Sequence, residues 1–80
     1  MNEYTLQLTI YKIPKVLGSM IYTVSTGAFM NDVLAVNTLT AHAFFVSEQH
    51  KPCEVHVEIF RKGTKWRNSK WFADYKYTKE

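Results

Sequence analysis

His50, Cys53 and His56 stand at a His-x-x-Cys-x-x-His spacing that on paper suits a divalent cation. On a strand, however, positions 53 and 56 point to opposite faces, so they cannot converge on one ion without a bulge. A fourth ligand is also missing nearby. The expectation is a buried cysteine and two surface histidines, with no metal. A nucleophilic role for Cys53 would need His42 or His56 and Glu54 beside it. An inward thiol at the start of a strand instead behaves as a small, inert hydrophobe. Glu54 and Glu58 share a strand face but lie about 13 Å apart, too far for joint acid–base work. Gly18, Gly27 and Gly63 stand alone and read as turns, so no glycine-rich loop prepares a helix N-terminus for phosphate. His42 falls mid-helix and reads as a partly exposed flank residue. These readings predict no enzyme and no cofactor.

One constellation remains, running from Phe60 to Lys76. Phe60, Arg61, Lys62, Lys65, Trp66, Arg67, Lys70, Trp71, Phe72, Tyr75 and Lys76 interleave cations with rings. Rings stack on bases while cations offset phosphates, which is what a single-stranded nucleic acid groove requires. Trp, Tyr and Arg also dominate protein–protein hot spots. A third reading is packing alone, with Trp66 and Trp71 closing an open end of the core. Strict alternation places Trp71, Ala73, Tyr75 and Tyr77 on one face and Phe72 and Lys76 on the other. One helix can cover only one of these faces, so Phe60 and Phe72 are expected as exposed rings.

The elements that position these residues follow from periodicity. Tyr4, Leu6, Leu8 and Ile10 alternate with polar neighbours, a period of two that marks a half-buried strand ended by Pro14. Ser19 to Ser25 reads as a second strand, Thr26-Gly27 as a turn, and Ala28 to Val36 as a short third strand that Asn31-Asp32 interrupts. Asn37 or Thr38 can cap a helix spanning about Thr38 to His50, stopped by Pro52. Cys53, Val55, Val57 and Ile59 alternate with Glu54, His56, Glu58 and Phe60 in the cleanest strand pattern of the chain. Lys62-Gly63 or Asn68-Ser69 supplies a turn, and Trp71 to Thr78 pairs back as a hairpin. The fold class is α+β: an antiparallel sheet of four or five strands with one helix packed on one face, in the order β-β-(β)-α-β-β.

Eighty residues fit one domain, 1–80, of only marginal stability on its own. With 46% apolar and 15% aromatic residues a compact core is expected, and dimerisation would supplement it. Cys53 is the only cysteine, so no internal disulfide forms. The start of the chain shows no signal peptide, and no apolar run approaches the roughly 20 residues of a membrane span. A cytoplasmic protein is expected. The net charge of +3 is unevenly spread: residues 1–60 carry −2 and residues 61–80 carry +5. A basic end aids solubility, and it is also an electrostatic footprint for an anionic partner.

Ring-rich RNP-type motifs, GxxG clamps and zinc knuckles are absent. In layout, with one cysteine, a sheet, one helix and no catalytic constellation, the chain resembles small phage-encoded inhibitor proteins of the anti-CRISPR type. The resemblance matches no motif and transfers no functional residue. It implies a stoichiometric inhibitor docking on a host nucleoprotein complex, in the host cytoplasm. Many such inhibitors are acidic mimics of nucleic acid, and this basic chain departs from that pattern. The expected function is a non-enzymatic protein-binding module. Its contacts are Phe60, Arg61, Lys62, Lys65, Trp66, Arg67, Lys70 and Phe72. A single-stranded nucleic acid binder using the same hairpin is the alternative, and a homodimer hiding the exposed rings is a third possibility.

Overall fold

The structure, a computed structural model, describes residues 1–14, 19–62 and 70–80, with backbone alone for 70–72. Among the described residues, four strands and one helix follow in the order β1 (Asn2–Lys12), β2 (Met20–Phe29), α1 (Asp32–Glu48), β3 (Cys53–Arg61) and β4 (Lys70–Lys79). All neighbours are antiparallel and the sheet order is β2-β1-β3-β4. No described helix is long and apolar enough to cross a membrane.

The alternation in β1 and β3 decides where the core lies. Tyr4, Leu6, Leu8 and Ile10 sit opposite Arg61, Ile59, Val57 and Val55, and all of these except Arg61 are buried. They form one cluster with Cys53 and with Ala35, Leu39 and Ala43 of α1. The buried helix positions Ala35, Leu39, Ala43 and Ser47 recur every four residues and so lie on one helix face, and the small ones among them let the helix backbone approach the sheet closely. Tyr75 and Tyr77 of β4 turn to the same side. Tyr75 Oη donates to Thr40 Oγ1 at 3.3 Å, Tyr77 Oη and Ser47 Oγ share a hydrogen bond of 2.9 Å, and the Tyr77 ring stacks on Phe44 at 5.0 Å.

The middle of the chain departs from the sequence expectation. β2 does not stop at Ser25 and no turn forms at Thr26-Gly27; the strand continues to Phe29 in unbroken register with β1. Gly27 lies opposite Tyr4, and a Cβ placed on it would come within 2.9 Å of the Phe29 ring. The missing side chain is the space that ring occupies, and the same ring meets Tyr4 edge-on at 5.8 Å. A glycine within a strand here marks close approach rather than a turn.

The third strand expected over Ala28 to Val36 does not form, so the sheet has four strands. The helix begins at Asp32 rather than Thr38, and Asn31, not Asn37 or Thr38, caps it by accepting from the Leu34 N–H at 2.8 Å. Asp32 adds a negative charge where the helix dipole is positive. The helix ends at Glu48, two residues before the expected His50. Its start is obscured because the outward positions Val33, Leu34 and Phe45 are apolar, so no polar face marks the helical period. The alternation of the last strand is also interrupted: a register shift between Ile59 and Phe60 brings Trp71, not Phe72, opposite Phe60. An extra residue in one strand of a ladder has this effect.

Candidate functional site

The hairpin of β3 and β4 ends where Phe60, Arg61 and Lys62 leave the sheet. Phe60 follows buried Ile59, so it belongs to the face away from the core cluster, and it sits between Thr5 of β1 and Trp71 of β4. With a strand on each side the residue is half-buried rather than exposed as expected. Arg61 turns the other way. Its Nη1 donates to Asp32 Oδ1 at 3.3 Å, and the same oxygen accepts from the Tyr4 hydroxyl. Burial, then the carboxylate beside it, raises the Tyr4 phenol above its ordinary value. Arg61 therefore ties the end of β3 to the first turn of α1. Lys62 donates its backbone N–H to the Glu3 carbonyl at 2.9 Å, and its Nζ lies 3.9 Å from Glu3 Oε2.

Of the other residues selected from sequence, Lys65, Trp66 and Arg67 lie outside the described residues. Lys70 and Phe72 fall within β4 as backbone, Lys70 opposite Arg61. Asp32 and Glu3 are the site residues that sequence reasoning missed. In sequence Asp32 reads as a break in a strand, and its partners Tyr4 and Arg61 stand 28 and 29 positions away, beyond any local pattern.

The charges fall into a simple arrangement. Outside residues 63–70 the chain has seven Lys and Arg against seven Asp and Glu, so the whole surplus of +3 belongs to Lys65, Arg67 and Lys70. The described pairs agree with that balance. Glu48 receives Lys51 and, at 3.0 Å, Lys79, and these hydrogen bonds hold its carboxyl below the usual range. Arg61 is matched to Asp32 and Lys62 to Glu3.

A second polar group occupies the face of the sheet away from the core cluster. His56 Nε2 lies 2.7 Å from Asp74 Oδ1 and its Nδ1 lies 3.7 Å from Glu58 Oε1. Glu58 and Asp74 are direct cross-strand partners, an unfavourable arrangement for two carboxylates unless a positive charge or donor stands between them. The imidazole stands between them, with Nε2 within hydrogen-bond distance of the Asp74 carboxylate. The donor atoms of these three residues lie within 4.8 Å of one another, close enough to share a cation. Beside them a shallow groove of about 350 Å³ is lined by Tyr11, Glu54, Val55, His56 and Lys76. Cys53 is on the other side of the sheet, fully buried, with its Sγ 3.6 Å from the Ser47 carbonyl, and burial pushes its thiol up. Cys53 and His56 thus occupy opposite faces, and they do not converge on one ion.

The geometry brings Phe60, the tethered Arg61 and Lys62 to one end of the hairpin, and in sequence residues 63–70, which hold the surplus charge, follow directly. Set against known proteins, the chain matches no family model, no curated protein and no solved structure.

Proposed function

We propose that this chain is a non-enzymatic protein-binding module that docks on an acidic partner through the end of the β3–β4 hairpin. One observation carries the reading. The entire charge surplus lies in residues 63–70, directly beyond the point where Phe60 and Trp71 are paired across the strands. Charges elsewhere in the sequence sum to zero, so this segment carries the net charge that attracts an acidic partner over distance. Rings beside it supply the apolar contact that cations alone lack. Lys65, Arg67 and Lys70 steer approach, with Trp66, Phe72 and Phe60 as anchors. Arg61 and Lys62, held by Asp32 and Glu3, shape the base of the hairpin. The reading takes α1 to cover one sheet face only.

The layout of a small single-cysteine sheet with one helix favours a stoichiometric inhibitor of a host nucleoprotein complex, of the phage-encoded anti-CRISPR type, acting in the host cytoplasm. The test is retention of a protein from host lysate, with and without nuclease, by the wild type and by Arg67→Glu/Lys70→Glu. Retention that survives nuclease and is lost in the double variant supports the module. Equal retention by both refutes it. Loss on nuclease treatment, with binding to a short unstructured oligonucleotide that falls steeply with salt, replaces it with a single-stranded nucleic acid binder.

A further inference from the structure

The two edges of the sheet are built differently. β4 carries Lys70, Asp74, Lys76 and Lys79 and contains the irregular register near Phe60. Charges and bulges are the devices by which proteins keep an edge strand from pairing with another chain. β2 has neither. Its ten residues, Met20–Phe29, include no charge and no proline, and their register with β1 runs without a bulge from Met20 to Phe29. Among the described residues β2 has β1 as its single strand neighbour. Away from the core side it displays Met20, Tyr22 and Val24, at 55%, 51% and 54% exposure. The strand is long, free of bulges, uncharged and rich in β-formers, which describes a template for a further strand.

We propose that the occupant of this edge is the β2 strand of a second copy of this chain, joined antiparallel about a two-fold axis into an eight-stranded sheet. Two features select a second copy over a foreign strand. Antiparallel pairing of a strand with itself sets the residues nearest the two-fold axis opposite their own kind, and each of the others opposite its counterpart across the axis. Any charge close to the middle would then face itself, and β2 has none in any register. The second feature is the position of the net charge. In sequence it belongs to the residues that join β3 to β4, the two strands on the other side of β1 from β2. In the order β4-β3-β1-β2-β2-β1-β3-β4 the two β4 strands stand about 33 Å apart, seven strand spacings, against a screening length of about 8 Å. Two basic copies therefore meet through their uncharged edges without opposing each other. Met20, Tyr22 and Val24 gain cross-strand neighbours at the seam. The hairpin ends stay open, so this surface is separate from the one proposed for the partner.

Sedimentation and light scattering of the full chain at about 100 μM, where a dimer of micromolar affinity is mostly assembled, test the proposal. The wild type should have about twice the 9.4 kDa chain mass. Val24→Lys, which adds a charge beside the seam on the exposed face, should return it to a single chain with an unchanged circular dichroism spectrum. Should Val24→Lys misfold, Thr26→Lys on the same face makes the same decision. Lys76→Glu on β4 and Arg67→Glu/Lys70→Glu should leave the dimer intact. A monomeric wild type overturns the proposal, and so does a dimer that survives a folded Val24→Lys or Thr26→Lys variant.

Discussion

Leu8 and Thr9 are adjacent in β1, and replacing each with alanine measures how strictly the sheet sorts its two faces. Leu8 is 1% exposed, lies between Thr23 and Val57 in the register, and belongs to the cluster under α1. Truncating it removes three carbons from a site walled by strands on both sides and by the helix, where little can collapse inward. Such sites lose the transfer free energy plus a cavity term, which sets the cost at about 3–4 kcal/mol. Thr9 faces the other way, opposite Tyr22 and His56, half-buried beside polar neighbours. Its truncation should cost about 1 kcal/mol or less, mostly lost β-propensity. A domain of 80 residues has about 4–12 kcal/mol in total, so Leu8→Ala removes a large part of it. At roughly 4–8 °C per kcal/mol in domains of this size, the melting temperature should fall by about 12–30 °C for Leu8→Ala and by less than about 8 °C for Thr9→Ala. Calorimetry at neutral pH reads both. Equal losses at the two positions, or a Leu8→Ala loss below about 1 kcal/mol, would mean that the register or the assignment of the buried face is wrong, since a one-residue slip exchanges the faces.

Gly27→Ala should destabilise by about 1–3 kcal/mol through overpacking, because its Cβ meets the Phe29 ring at 2.9 Å. In a double-mutant cycle with Phe29→Ala the combined loss should be smaller than the sum, and additive losses would disprove the contact. Stability should also fall at both ends of the pH range. Glu48 has its folded value below 4.5, so its contribution is complete above that pH and is lost as pH falls further; Glu48→Gln should flatten that acid limb in pH-dependent melting. Cys53 and Tyr77 are raised above 9.0 and 10.0, chiefly by burial. Their contribution is complete below those values and is lost as pH rises past them, because the unfolded chain ionises first. Cys53→Ala, compared with its own stability at neutral pH, should move the start of the alkaline limb upward, and an unmoved limb would rule out the buried thiol as its cause.

Sequence alone determined the parts of the fold whose faces differ in polarity. β1 and β3 alternate Leu, Ile and Val with Thr, Gln and Glu, and burial follows that alternation residue by residue. It also determined the inward Cys53, the hairpin of β3 and β4, and the location of the surplus charge. Where one side of an element must meet water and the other the core, composition records the geometry. Tertiary structure decided the rest. Gly27 reads as a turn until Tyr4 and Phe29 are seen around it. The helix start is hidden because Val33 and Leu34 are as apolar outside as Ala35 is inside. Asp32, Tyr4 and Arg61 meet from three separate elements, as do His56 and Asp74 from two strands. Contacts between residues far apart in the chain depend on strand order and register, and no local period encodes either.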